Sequence, residues 1–575
     1  MTVGTMRPLD TIRARFGDMG REVRATPEVV DKLFQGVVES AESVPELSEK
    51  STAGDLVKFK CFVQDVFEQE IYFFRYGSEM NKTAICCDQV ADPELANQAP
   101  SSDLLSERLP LYCVSIPGRT KWSRQPTGEQ IDQKTEQKIP KRKFSSDMGE
   151  THEPLDLNKE NLAHSEEAKR GKREDVEMKS EQPATPSLSL NLPIPSELAE
   201  GAFGVVVKIY DNSLMNQPLL NQMVEVVGIV EEGETIENGF GGEDMETSEL
   251  GVAVRKVHAI SVKKLNELEA GPFAEEFSST ELLSDSRNQF KMALPELRQQ
   301  LVESLRSALM GDELAAEYAL TNLVSRVERR TDTMVVGKIS LNFIIPKDLP
   351  SSKVISTLEA LCPRVHVIPV TIQSLNTENF VPKKNYAQNR LQSSRLQLPE
   401  GTVLVLDETN LEPGQLNERG LKNLSALKEI VTRQMLNYDF EFYQMEVNTN
   451  IPVLSLSRTK SLLPFDDTLV CREEAKYQPS MASPSGDTLR KLRLGLTILS
   501  TPEPAFEVPE PVSTKIENQF VEMRRQFPAH VDQDTLHRWL SLARARARTY
   551  GESGLTEDRW NQVISMYKLC KERSS

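Results

Sequence analysis

The stretch that decides the fold is residues 401–409, Gly401-Thr402-Val403-Leu404-Val405-Leu406-Asp407-Glu408-Thr409. Its unbroken apolar run is typical of a strand covered on both faces, as in the parallel sheet of an α/β domain. Two adjacent carboxylates are costly to bury, so we expect them at the sheet edge where α/β proteins bind ligands. In nucleotide-hydrolysing proteins this is the Walker B position, whose first acid holds magnesium. Asp407 and Glu408 are therefore either half of a nucleotide site or structural, with Asp407 capping or hydrogen-bonding the loop at residues 409–416 and the following helix, and we expect the structural role.

Composition narrows the classes of protein to which the chain can belong. It has 575 residues, enough for about three or four domains, and a formal net charge of −18. This charge argues against a protein that coats nucleic acid through its overall field. The seven cysteines and six histidines show no metal-ligand spacing, so we expect no zinc module, no bound metal and a reducing compartment. We also expect an intracellular protein that does not span a membrane, because no stretch approaches 18 uninterrupted apolar residues.

Residues 1–118 are predicted to form a mixed helix and β-rich module. Apolar residues recur at helical spacing over residues 29–38. Three β-rich runs follow, at residues 56–65, 70–76 and 111–116. Aromatic residues beside Lys58, Lys60 and Arg75 either stack nucleic-acid bases, as in an OB-fold, or are ordinary sheet residues.

Residues 119–189 are poor in apolar residues and rich in Lys, Glu, Ser, Pro and Gln. Such a segment buries too little surface to offset its ordering entropy, so we predict a disordered linker. It contains two basic clusters, Lys141-Arg142-Lys143 and Lys169-Arg170-Gly171-Lys172-Arg173. They are either nuclear localisation signals or solvated charge. We expect nuclear import, because the clusters are basic although the chain as a whole is acidic.

The remainder of the chain divides into three predicted parts. Residues 190–270 contain β-branched runs and are expected to form a second small β-rich module, and their acidic loop lacks a calcium-binding pattern. Residues 280–500 alternate helical and strand patterns, which indicates an α/β core. Residues 501–575 read as helices only. An α/β core followed by a helical lid is the outline of an AAA+ module.

Several segments together resemble one family, the minichromosome maintenance complex-binding proteins. The segments are residues 56–67, 207–211, 311–318, 380–391, 406–416 and 438–446. The resemblance covers nearly the whole chain outside the linker, in the same order. It implies a nuclear eukaryotic factor that binds subunits of the minichromosome maintenance helicase. It further implies a role in assembling or unloading that helicase, in DNA replication and in sister-chromatid cohesion.

The resemblance also allows a comparison with the Walker A loop of the helicase subunits, which is similar to Gly-Asp-Pro-Ser-Thr-Ala-Lys-Ser. Aligned with it, residues 311–318 keep Gly311 and Asp312 but place Glu317 at the lysine position and Tyr318 at the serine position. A carboxylate facing a triphosphate repels it and removes the cation that offsets charge during phosphoryl transfer. We therefore expect a degenerate AAA+-like domain that is not an enzyme and binds no cofactor.

Other positions of an AAA+ site are incomplete as well. Residues 455–458 lack the asparagine expected of a sensor, and residues 461–467 lack an arginine finger. Arg559 falls near the place of a lid arginine but is expected to be a surface residue. The leading hypothesis is an interaction protein for helicase subunits, and the alternative is a replication factor that binds nucleic acid through its β-rich modules.

Overall fold

The elements of the chain alternate between β-rich and helical segments. A computed structural model describes residues 8–19, 26–35, 44–48, 50–77, 79, 81–87, 104–124, 202–210, 212–231, 255–277, 280–331, 334–387, 389–477, 486–501, 506–526 and 531–574. All of these belong to one compact unit, residues 1–127 and 187–575. The basic clusters at 141–143 and 169–173, and most of the predicted linker, lie outside the described residues.

The helices are α1 (Pro8–Gly17), α2 (Pro27–Phe34), α3 (Lys121–Arg124), α4 (Asn212–Met215), α5 (Thr280–Ala308), α6 (Glu313–Val324), α7 (Ser351–Leu361), α8 (Ile372–Thr377), α9 (Glu418–Arg433), α10 (Gly486–Ser500), α11 (Glu510–Gln526), α12 (Gln533–Thr549) and α13 (Glu557–Ser574). The strands are β1 (Leu56–Val66), β2 (Glu70–Phe73), β3 (Leu105–Val114), β4 (Gly204–Ile209), β5 (Met223–Glu231), β6 (Arg255–Leu265), β7 (Arg329–Arg330), β8 (Val335–Val336), β9 (Ser340–Ile344), β10 (Val365–Pro369), β11 (Lys383–Asn385), β12 (Arg390–Gln392), β13 (Val403–Asp407), β14 (Met435–Asp439), β15 (Gln444–Asn448), β16 (Val453–Ser457) and β17 (Asp467–Val470).

The first six strands form a single β-barrel. They are ordered β1-β5-β6-β4-β3-β2, and β1 also pairs with β3, which closes the sheet on itself. Of these pairings β4 with β6 is parallel and β1 with β3 antiparallel. Inward-facing apolar residues from both halves share one core, for example Val57, Leu111 and Val207.

This barrel corrects the expectation of two separate β-rich modules at residues 1–118 and 190–270. Strands from both segments pair directly, with Leu56 opposite Ile229 and Leu109 opposite Ile209. The physical reason is that two or three strands from either segment leave a hydrophobic face and two open edges, and closure with the other segment removes both.

The opening stretch forms β13, an interior strand of a parallel sheet. The strand order is β10-β13-β16-β9-β17, and every pairing is parallel. Val403 and Val405 belong to the core on one face, whereas Leu404 and Leu406 belong to the core on the other. The unbroken apolar run is therefore explained by burial on both faces, and the prediction from it is confirmed.

Two different layers cover the parallel sheet. On one face, α5, α6 and α7 share a core with residues of the last four helices, including the buried Trp539 and Trp560. The C-terminal helices, expected as a lid, are thus continuous with the main core. On the other face lie α9 and a four-stranded sheet, β12-β11-β14-β15, which the sequence analysis did not anticipate.

The first residues of the predicted linker are ordered. Trp122 donates from Nε1 to the Glu359 carbonyl over 2.9 Å, and Ser123 donates from Oγ to the Pro363 carbonyl over 2.7 Å. Arg493 lies 4.0 Å over the Trp122 ring. The expectation of disorder from residue 119 onward is wrong at this end, because the segment continues from β3 directly onto the C-terminal end of α7.

The barrel is joined to the α/β part by buried polar contacts. Glu267, just after β6, makes a bidentate pair with Arg326, with both N–O distances 2.9 Å. Arg364 lies 3.9 Å from the same carboxylate, and both guanidinium groups are almost fully buried. Asp65 of the barrel accepts from the Leu391 backbone N–H over 2.8 Å, and burial raises the pKa of this carboxyl.

Candidate functional site

The connection from β9 to α7 occupies the place where a phosphate-binding loop would lie in a parallel sheet. Such loops are glycine-rich and lead from a strand into a helix, with backbone N–H groups directed at the phosphates. Here the connection is Ile345-Pro346-Lys347-Asp348-Leu349-Pro350, which contains no glycine and two prolines without N–H groups. Leu349 is buried beneath the loop. The loop therefore lacks the glycines of a phosphate-binding loop, and its two prolines have no N–H to donate.

Arg458, which follows β16, donates hydrogen bonds to this loop, whereas a phosphate-binding loop itself donates. Its guanidinium donates to the carbonyl oxygens of Ile345, Pro346 and Leu349, with distances of 3.4 Å to the first and 3.1 Å to the last. The loop thus presents carbonyl oxygens to an internal cation, whereas a phosphate loop presents N–H groups to an external anion. The sequence analysis noted this position only for its missing asparagine.

Asp407 lies at the carboxyl end of β13, as predicted. Its Oδ2 accepts from the Ser351 hydroxyl over 2.8 Å. Its Oδ1 accepts from the backbone N–H and the hydroxyl of Thr409, over 3.0 and 2.6 Å. These contacts tie the strand end to the first turn of α7 and to the following loop. They match the loop-binding alternative for this residue.

Glu408 is buried and also satisfied by hydroxyl groups. Its Oε1 accepts from the Ser455 hydroxyl over 2.8 Å and from the Ser461 hydroxyl over 2.6 Å. Asp407 and Ser351 would be suitable oxygen ligands for Mg²⁺, but Mg²⁺ sites of this type also need the phosphates of a substrate. Because the β9–α7 loop has no glycine and two prolines, it does not form the glycine-rich phosphate cradle that such a site uses. Among the described residues no group of three or more His, Cys, Asp or Glu side chains is placed to hold a metal.

The Walker A assignment to residues 311–318 is wrong, because this segment does not follow a strand. Gly311 and Asp312 lie between α5 and α6. Gly311 has a φ of +85°, and a Cβ there would lie 2.5 Å from the Tyr477 side chain. Asp312 caps α6 by accepting from the Ala315 N–H over 3.0 Å, and it pairs with Arg573 over 2.5 Å. The segment is the N-terminus of α6, which the Asp312–Arg573 pair holds to the C-terminal helix α13.

Glu317 and Tyr318 also serve packing. The Glu317 carboxylate pairs with Arg298 and with Arg546, the latter over 2.9 Å, and all three side chains are largely buried. Tyr318 is fully buried, and burial raises the pKa of its hydroxyl. These residues join α6 to α5 and α12, so the lysine and serine of a phosphate site have no counterparts in this helix.

The residues considered for base stacking are buried or engaged. Phe59 and Phe62 lie in barrel cores, and Arg75 is buried with its guanidinium 4.5 Å from the Phe16 ring centroid. Lys60 donates to the Glu269 carbonyl over 2.6 Å. None of these side chains forms an open stacking platform.

Arg559, considered for a lid arginine, pairs with Glu552 over 2.9 Å and covers the Tyr550 ring.

An exposed aromatic cluster, which the sequence analysis did not single out as a site, lies at the β14–β15 turn. Phe442 is 81% exposed and Tyr443 58% exposed. A groove of about 1130 Å³ runs from this turn between the small sheet and α9. The available signal was three aromatic residues in Asp439-Phe440-Glu441-Phe442-Tyr443, at a turn where Gly, Asn or Asp is usual.

No helix within the described ranges is long and apolar enough to cross a membrane.

Comparison with known proteins gives consistent results over the whole chain. The family described as Mini-chromosome maintenance replisome factor matches residues 35–574. The Mini-chromosome maintenance complex-binding protein of Salmo salar is 29% identical, over 99% of this chain and 97% of the relative. The proteins of the same name from Homo sapiens and Arabidopsis thaliana are 28% and 29% identical, over 98% and 90% of this chain and 97% and 87% of the relatives. The chain belongs to the Mini-chromosome maintenance replisome factor family.

Proposed function

We propose that this chain is a non-catalytic interaction protein that binds subunits of the minichromosome maintenance helicase. The observation that carries the proposal is similarity along nearly the full length to proteins named for binding that complex. We further propose that it acts in the nucleus, assists assembly or unloading of the helicase during DNA replication, and supports sister-chromatid cohesion. The basic clusters at 141–143 and 169–173 are the candidate import signals.

The strand order supports an AAA+-like scaffold as part of this proposal. When the five parallel strands are numbered in chain order, their order in the sheet is 5-1-4-3-2, which is the order of AAA+ ATPase cores. Helicase subunits of this class pack side by side, and a relative with the same scaffold offers surfaces of the same kind. Contacts between such modules are expected to be large and mixed in character.

The contacts at the strand ends support a protein without ATPase activity. The β9–α7 loop has no glycine, and Arg458 occupies its carbonyl oxygens. Asp407 and Glu408 are bonded to hydroxyl groups of neighbouring elements. The two acids of the predicted Walker B motif remain, and they stabilise the sheet edge.

Purified protein with magnesium and ATP is expected to show no phosphate release above background, because the β9–α7 loop lacks the glycine-rich cradle that holds the phosphates during phosphoryl transfer. Steady-state phosphate release measures this. The Asp407→Asn variant is the matched comparison, since it removes the charge of the predicted magnesium ligand and keeps the side-chain size. Turnover by the wild type that disappears in Asp407→Asn would contradict the proposal.

Affinity purification of the full chain from nuclear extract is expected to recover helicase subunits. Mass spectrometry of the eluate measures this, and a parallel purification with an unrelated protein of similar net charge is the control for non-specific capture. An eluate without any helicase subunit would overturn the proposed function.

The alternative, a nucleic-acid-binding factor, has one observation in its favour. Without β2, the barrel strands in chain order are arranged 1-2-3-5-4 and close back on the first, as in an OB-fold barrel. OB-folds bind single strands through exposed aromatic platforms and basic grooves. The buried Phe59 and Phe62 provide no such platform, so we place this function second.

A further inference from the structure

The exposed aromatic cluster consists of Phe442 and Tyr443 at the β14–β15 turn and Tyr386 at the neighbouring β11–β12 turn. The Tyr386 and Phe442 rings lie 5.5 Å apart, and the Phe440 and Tyr443 rings stack at 5.0 Å. Tyr386, Phe442 and Tyr443 are 45%, 81% and 58% exposed. Single exposed apolar residues are common, but grouped aromatic residues on a surface indicate an interaction site.

The turn that carries this cluster is held in one conformation. Glu441 adopts a left-handed φ of +61°, and its N–H donates to the Asp439 carboxylate over 2.8 Å. The Phe440 N–H donates to the Tyr443 carbonyl over 3.0 Å, and the Tyr386 hydroxyl donates to the Phe440 carbonyl over 3.0 Å. The backbone that carries the aromatic side chains is therefore held in one conformation before any partner arrives, which lowers the entropy cost of binding.

The β14–β15 hairpin carries charge of one sign, whereas the neighbouring β11–β12 hairpin carries Lys383, Lys384 and Arg390. Residues 437–449 contain Asp439, Glu441 and Glu446 and no Lys, Arg or His. Among the described residues none of these carboxylates makes an ion pair. Lys383 is the neighbour of Asp439 in sheet register, but the two side chains form no ion pair. Unpaired carboxylates beside open aromatic faces favour a cation, which gains both charge attraction and cation–π contact.

The backbone beside the cluster is open as well. Strand β15 pairs with β14, and in the described part of the chain it has no neighbour on its other side. Its side chains alternate between exposed and half-buried. An open edge strand offers a row of N–H and C=O groups to an extended chain.

We propose that this surface, the Phe442 cluster with strand β15, binds an extended, basic segment of a protein partner. Lys or Arg side chains of that segment lie over the Phe442 and Tyr443 rings and pair with Glu441 and Glu446, while its backbone adds to β15. The inference rests on the proposed function, and names the surface and the chemistry by which a helicase subunit is held.

Binding of purified helicase subunits, tested one at a time against the full chain, measures this directly. Phe442→Ser combined with Tyr443→Ser is expected to weaken binding of the contacted subunit about 30-fold or more, as for hot-spot residues. Glu441→Lys combined with Glu446→Lys is expected to weaken it about tenfold or more at low salt, and less at high salt. The controls are Val521→Ser for exposed apolar area and Glu517→Lys with Glu522→Lys for charge. Equal thermal unfolding midpoints would show that the variants are folded.

A photo-crosslinking amino acid at position 442 gives an independent readout. It is expected to crosslink to a Lys- or Arg-rich segment of the subunit, whereas the same group at position 521 is expected not to. If the wild type binds a subunit and the cluster variants bind it equally well, this inference is overturned and the proposed function stands. If the wild type binds no subunit, the proposed function fails, and a fluorescent peptide of alternating Arg and Leu tests the surface. Equal peptide binding by wild type and both cluster variants would then overturn the inference.

Discussion

Replacing Glu317 with lysine is expected to destabilise the fold by about 3–5 kcal/mol, the usual cost of breaking a buried ion pair from one side. The carboxylate lies between Arg298 of α5 and Arg546 of α12, whose side chains are 10% and 8% exposed. A lysine there would place three cations together in a partly desolvated site. The change restores the lysine of the Walker A alignment, yet the expected result is loss of stability and no gain of ATP hydrolysis.

Denaturant unfolding followed by circular dichroism measures the effect. Glu313→Lys is the matched control, because it makes the same substitution in the first turn of the same helix at an exposed position. The control should lose about 1 kcal/mol or less, from the less favourable interaction with the helix dipole. Comparable losses in both variants, or ATP turnover in Glu317→Lys, would contradict the structural role of Glu317.

Replacing Glu267 with alanine is expected to destabilise the protein by about 3–5 kcal/mol, because it leaves two buried guanidinium groups without their carboxylate. Arg326 and Arg364 are both 3% exposed, and Arg326 is held by two bonds of 2.9 Å. Burial already lowers the pKa of Arg364, and Glu267 opposes that effect. Because Glu267 follows the last barrel strand, its loss should also loosen the barrel from the α/β part.

Chemical denaturation measures the free energy of unfolding. The rate of limited proteolysis between the barrel and α5 measures how far the barrel has loosened from the α/β part. Lys263→Ala is the control, since its ion pair with Glu269 is on the surface and its side chain is 61% exposed. Such a pair contributes about 0–1 kcal/mol. A Glu267→Ala variant as stable and as resistant to protease as Lys263→Ala would show that the carboxylate does not join the two parts.

The local patterns of the sequence predicted the elements of the α/β part well. The continuous run Val403–Asp407 predicted a strand buried on both faces, and β13 has a core on each side. Helical spacing predicted the helices around residues 290–309 and 316–327, observed as α5 and α6. These predictions succeed because burial periodicity is a property of neighbouring residues.

Long-range arrangements could not be predicted in the same way. The pairing of Leu56 with Ile229 joins segments on both sides of the linker, and neither segment encodes its partner. The Walker A alignment failed because a Gly-Asp pair suits a helix cap as well as a phosphate loop, and only the preceding element distinguishes them. The bond from Ser351 to Asp407 likewise depends on which strand β13 neighbours.

The closed barrel imposes an order of events on a newly made chain. Strands β1 and β3 are complete long before β4, β5 and β6 have been synthesised, so their apolar faces have no partners at that stage. At about 5–20 residues per second, the delay between β1 and β5 is roughly ten to thirty seconds. During translation the N-terminal strands are therefore exposed to aggregation. A ribosome-associated chaperone would bind their apolar faces until residue 265 has emerged.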